Sequence, residues 1–402
     1  MRARLPLFCS LVAVSVIGVA APASAAGTTY NWTAGGGGNQ ETATAANWDL
    51  GVPGSDENLV FGAGTHAHNN LATDLLVRGL SFTASGFLLD GNRIALGTGG
   101  ASATVDASTN LDMNLSVDQT WSAAAGATFT HHGTINVLTG VLTVSGAGTI
   151  DFANRIDGNG GAGQVVKTGT GTLILSGGGG AINTAGAGDR GLDVQAGETR
   201  VTGMLAGTDF VINGGTLTGG NLSDPLLGVV RALTLNTGSI SPGVVTGEIS
   251  TIHTWEPFTA NAGGILAFDV DGTTSDRLDV YKDVTLNAPT LHLNVVTAPV
   301  VGTVLTLAAT QIGTVTGTVT SRTGEALTSG SEFIDSGHRW LLSIGQGSMW
   351  VEYLGAAPVP PGPSLAETGV TTGWLLPVGG GILVLGIILL ILFRKRSAKF
   401  EG

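Results

Sequence analysis

The chain has 402 residues, of which 65 are glycine and 11% are charged, with a formal net charge of -12. So acidic and sparsely charged a surface excludes nucleic acid as a partner, because phosphate binding needs a basic stripe. A single cysteine excludes a disulfide framework and a multi-cysteine metal site, and 43% hydrophobic residues are too many for a disordered chain.

The first residues have the three parts of a secretory signal peptide, assigned to 1-26. Arg2 and Arg4 give a positive start, Leu5 to Ala21 an apolar stretch, and Ala23-Ser24-Ala25 a small-residue cleavage site. Cys9 lies inside that segment, so the mature chain is expected to carry no thiol.

The body, 27-355, is a succession of short runs of β-formers bracketed by glycine. Gly140-Val141-Leu142-Thr143-Val144-Ser145-Gly146 and Gly171-Thr172-Leu173-Ile174-Leu175-Ser176-Gly177 are two of them. Every second side chain is apolar, the period of a strand with one buried face. Recurring strands with glycine corners predict an all-β solenoid, in which stacked coils pair in parallel and share one core. Because the spacing is irregular, a series of β-sandwiches is the alternative.

Chemistry-bearing patterns are sparse. No Gly-x-Ser-x-Gly elbow, His-Glu-x-x-His helix or phosphate loop occurs, and Gly35 to Gly38 reads as a flexible surface loop. Of seven histidines, His66 and His68 would share one face of a strand, a pattern compatible with metal binding but read as a solvated loop. His131 and His132 would point to opposite faces, which argues against joint ligation. Asp269-Val270-Asp271-Gly272-Thr273-Thr274-Ser275-Asp276 has oxygen ligands two apart and a turn glycine, but its twelfth position is Val280 where a calcium loop needs Glu. No catalytic residue, metal site or cofactor is assigned.

The stretch Val165-Val166-Lys167-Thr168-Gly169-Thr170-Gly171-Thr172-Leu173-Ile174-Leu175-Ser176-Gly177 resembles the autotransporter-associated β-strand repeat, and Gly191 to Thr199 its second half. Trp32, Asn47-Trp48-Asp49, Gly51, Pro53, Asp56 and Phe61 are similar to the opening segment of large bacterial solenoid passengers. Gly238-Ser239-Ile240-Ser241-Pro242-Gly243, Leu266 to Val270 and Ser275 to Leu278 resemble their terminal coil and cap. The resemblance implies a right-handed parallel β-helix, with a solenoid body over 27-235 and terminal coils and cap over 236-355. A tail of a different kind stands where true autotransporters carry an outer-membrane barrel, so passenger architecture is expected without self-export.

A proline-rich spacer, 356-364, cannot form helix or sheet ladders. Next come Leu365, Ala366, Glu367, Thr368 and Gly369, an uncharged run from Trp374 to Phe393, and the basic residues Arg394, Lys395, Arg396 and Lys399. At helical rise the run spans about 30 Å, the hydrocarbon thickness of a bilayer. It predicts one transmembrane helix over 374-393, with the basic 394-402 tail held in the cytoplasm. Pentapeptide, span and tail in this order resemble a Gram-positive cell-wall sorting signal. The resemblance implies a membrane-inserted precursor, cleavage by a sortase between Thr368 and Gly369, and attachment of Thr368 to peptidoglycan. Ala366 replaces the commoner proline, a form similar to substrates of the LAxTG-type sortase class. A plain membrane tether is the alternative.

The expected function is therefore a non-enzymatic, adhesin-like surface protein of a Gram-positive bacterium, exposed at the cell wall. The alternatives are a polysaccharide-binding or polysaccharide-degrading β-helix enzyme and a surface-layer component. Three or more carboxylates or basic groups converging in a groove would favour the enzyme. An even face of Thr, Ser and Asn would favour the structural protein.

Overall fold

The computed structural model describes residues 27-158, 162-177, 191-205, 207-222, 224 and 228-358. They form an all-β parallel solenoid of about 10 turns, with one short 3-10 turn at Ala45–Asn47. Strands of successive coils pair in parallel, so the sandwich alternative, whose strands pair antiparallel, does not describe this chain.

Three ladders carry the coils. On the first face the inward row runs Tyr30, Leu59, Leu80, Ala101, Trp121, Val144, Lys167, Val194, Ile212, Leu235, Ala260, Leu286. On the second it runs Phe87, Ala107, Phe129, Ile150, Leu173, Thr199, Leu217, Ile240, Leu266, Leu291. The third stacks Ile94, Met113, Ile135 and Ile156 in its early coils and Leu205, Val230, Thr254 and Val280 in its later ones. Alternation thus puts one side chain in two into a shared core. The coils are of unequal length: Val194 pairs with Ile212, whereas Leu286 pairs with Gly317. Unequal coils of this kind leave the sequence with no fixed period.

Aromatic side chains thread the early coils. Phe61 and Phe82 stack at 5.4 Å, Phe82 meets Phe129 at 5.2 Å, and Trp121 continues the chain to Phe152 at 5.5 Å. His131 is fully buried in that group, edge-on to Trp121 at 5.4 Å, and neither ring nitrogen has a partner. Burial lowers its pKa to about 3, so it packs as a neutral aromatic ring. His132 faces outward, as strand alternation requires.

Polar ladders accompany the apolar ones. Asn287 donates to Asn261 at 2.8 Å, Asn261 to Asn236 at 2.7 Å, Asn236 to Asn213 at 2.8 Å, and Asn213 to the Asp193 carboxylate at 2.7 Å. Each amide thus satisfies the coil before it at a corner where backbone pairing is interrupted.

Both ends are closed. At the N-terminal end, the backbone of Asn47 and Asp49 bonds Thr33 and Asn31, and that of Gln40 and Thr42 bonds His68. This covers the outer edges of Thr29–Trp32 and His66–Asn69. Asp49 also accepts the Asn31 amide at 2.6 Å, the Trp48 indole donates to Thr42 at 2.8 Å, and Trp48 packs on Trp32 at 5.2 Å. Asn47 accepts from the Gly36 amide at 2.8 Å, so the glycine run is docked at this point instead of forming a free loop. At the other end, Val304–Thr310 pairs antiparallel with Ser348–Ala356, and Glu332–Asp335 pairs antiparallel with His338–Gly345.

Lys167 is the exception in the inward row, with 1% of its surface exposed. Its ammonium donates to the carbonyls of Thr168 at 2.6 Å, Gly169 at 3.0 Å and Ala196 at 3.3 Å, three donors for three acceptors. Burial lowers its pKa to about 8, so the ammonium still dominates at pH 7. The turn wraps it closely: Gly197 has φ +69, and a Cβ there would lie 2.5 Å from the Gly169 carbonyl and 2.7 Å from the Lys167 Nζ. Lys167→Met keeps the apolar stem but leaves three inward carbonyls unmet. It should destabilise the protein by about 2–3 kcal/mol, read as a lower urea midpoint with an unchanged slope.

Candidate functional site

The residues assigned to wall sorting, Leu365 to Gly369 with Thr368 as the attachment point, lie outside the described residues. So do the 374-393 run and the tail residues Arg394, Lys395, Arg396 and Lys399. Among the described residues no helix is long and apolar enough to cross a membrane.

The structure adds a partner to the two strand histidines. His66 and His68 both reach Asp90 on the next coil, His66 Nε2 at 3.1 Å and His68 Nδ1 at 2.7 Å, and His66 Nδ1 also meets Gln40. Burial pushes the Asp90 pKa up, but hydrogen bonds from His68 and His66 outweigh it and hold the carboxyl below its ordinary value. The three therefore form a hydrogen-bonded cluster at the surface of the first coils. Among the described residues, no group of three or more His, Cys, Asp or Glu side chains is arranged to hold a metal ion.

The aspartates at Asp269 and Asp276 are taken up by the protein itself. Asp276 is fully buried and accepts the Ser250 amide of the previous coil and the Asp269 amide, each at 2.8 Å. Asp269 accepts from the Gly247 amide and, at 2.7 Å, from the Asn294 side chain. Both carboxylates thus tie coil to coil, which is the work the pattern of paired oxygens performs here. Val270–Asp271 and Thr274–Ser275 pair antiparallel around Gly272, forming a hairpin beside them.

That hairpin is one wall of a groove of about 500 Å³, floored by Thr251–Thr254 and Arg277–Val280 on adjacent coils. Arg277 Nη2 holds Asp279 Oδ2 at 2.5 Å, and His253, directly opposite Asp279 in the ladder, lies 3.8 Å from the same oxygen. Burial lowers the His253 pKa, against the pull of Asp279. Hydroxyls of Thr251, Thr273, Thr274, Ser275 and Thr306 line the groove, with Leu222, Ile249, Val304 and Leu305 as its apolar wall. Sequence reading missed this site. Its three ionisable residues sit at alternate positions of two unremarkable strands, and only the coil register brings them together.

No family model matches this chain, and no curated protein matches it.

The protonation of Asp276 is a measurable consequence of this packing. Burial, reinforced by the Asp269 and Glu248 charges, raises its pKa from 3.8 to about 7 despite the two amide donors. Between those values the folded chain holds a proton that the unfolded chain has released. Its contribution to stability is therefore full below about pH 3.8 and is lost as pH rises through 7. Asp276→Asn should flatten this limb: between pH 5 and pH 8 the parent's urea midpoint falls more steeply than the variant's.

Proposed function

We propose that this chain is a secreted surface protein of a Gram-positive bacterium, attached to peptidoglycan by a sortase and exposing a β-solenoid at the cell wall. The ordered sequence of Leu365 to Gly369, an uncharged run and a basic tail carries this reading. Signal peptide 1-26, spacer 356-364, span 374-393 and tail 394-402 are the parts it requires, with Thr368 as the residue joined to the wall and Arg394, Lys395, Arg396 and Lys399 as the retention signal. The solenoid is taken as right-handed, with its body over 27-235 and its terminal coils and cap over 236-355, following the resemblance to autotransporter-associated repeats.

The exterior of the second ladder supports a structural, adhesin-like role. Its outward row reads Thr128, Thr149, Thr172, Glu198, Thr216, Ser239, Ile265, Thr290, Thr320, an almost continuous line of hydroxyls. Such a face keeps a long parallel sheet soluble without clustered charge. A polysaccharide-degrading enzyme is the second reading, and the groove with His253, Arg277 and Asp279 is what favours it. Acid–base hydrolysis of a glycoside uses two carboxyls roughly 5–10 Å apart, whereas the groove lining supplies Asp279 alone, already paired with Arg277.

Fractionation of expressing cells tests the wall attachment. The parent should be released by muralytic digestion with a peptidoglycan fragment on its C-terminus, and Thr368→Ala should stay with the membrane. Detergent extraction of the parent from membranes, with no such fragment, would refute the attachment.

A further inference from the structure

Just past the two strands that floor the groove stands an exposed aromatic pair. Trp255 follows His253 by two residues and Tyr281 follows Asp279 by two, so both rings stand on the same outward side of the same pair of coils. Their centroids are 5.8 Å apart, and Trp255 is 44% exposed. A tryptophan in that position contributes little to the core, and aromatic surfaces left open beside a polar groove mark binding sites.

We propose that this groove, extended by the Trp255–Tyr281 pair that follows its floor strands, binds a neutral oligosaccharide. A sugar ring offers apolar C–H faces to an aromatic platform and hydroxyls that both donate and accept. The groove answers both: guanidinium donors of Arg277, the carboxylate of Asp279, and threonine and serine hydroxyls that serve either way. Charge selects against an anionic glycan, because Arg277 is neutralised by Asp279 at 2.5 Å. The volume, about 500 Å³, is within the usual range of small-ligand sites. Parallel strands of adjacent coils hold the floor rigid, so little ordering is needed on binding.

The site does not depend on how the chain is anchored. Purified full-length protein in detergent is titrated with cellohexaose, maltohexaose and chitohexaose, followed by tryptophan fluorescence and calorimetry. Saturable binding of at least one is expected. Trp255→Ala and Asp279→Asn should each weaken it by about tenfold or more, as loss of one anchoring contact does, with circular dichroism unchanged. Thr274→Val, on the hairpin wall, gives the same weakening and takes the place of Asp279→Asn if that variant does not fold. Thr368→Ala protein should bind as the parent does, so failure of wall attachment and failure of this site are read separately. The proposal is overturned if none of the three sugars saturates, if both groove variants bind as tightly as the parent, or if an oligogalacturonate binds in preference.

Discussion

Hydrogen bonding between coils is the constraint on which the rest of the structure depends. Apart from a few local hairpins, a coil of this chain has no partner for its own backbone, and its strand amides and carbonyls look to the coil before or after it. Register then propagates. Once Val144 lies over Trp121, Lys167 must lie over Val144, and the side chains of one row are stacked whether or not they match. Rows of like residues follow because like packs on like in such a stack. The asparagine series from Asn287 to Asp193 is one result, and the aromatic run from Phe61 to Phe152 is another.

The same constraint explains two residues that look misplaced. Lys167 and His131 both occupy inward positions, and each is accommodated by different chemistry. The lysine is long enough to turn its head back to the carbonyls of a tight corner, so its charge is met by backbone dipoles. The histidine has no such reach and stays uncharged among rings. A buried polar residue in a stacked row is thus tolerated either by full satisfaction or by loss of charge.

Much of this was legible before the structure, and the boundary between legible and hidden is physical. Strands such as Val141–Gly146 and Thr172–Leu175 announce themselves because alternation and flanking glycine are local properties. The outward turn of His132 beside inward His131 follows from the same period. What depends on register was hidden. The burial of Lys167 depends on Ala196 of the next coil, whose carbonyl closes on its ammonium. Asp90 is remote in sequence from His66 and His68, and Asp269 and Asp276 read as ligand spacing until Ser250, Gly247 and Asn294 claim their oxygens. The groove combines residues from three coils and a hairpin, and unequal coil lengths prevent their alignment by counting.

The closures of the two ends bear on how copies of this protein can associate. A parallel stack left open would offer unsatisfied strand edges to the next molecule, and coils could add indefinitely. Here the segment around Asn47 to Asp49 occupies one edge, and at the other Ser348–Ala356 pairs antiparallel with Val304–Thr310. A second copy cannot pair its backbone onto the edge segments that these contacts already occupy.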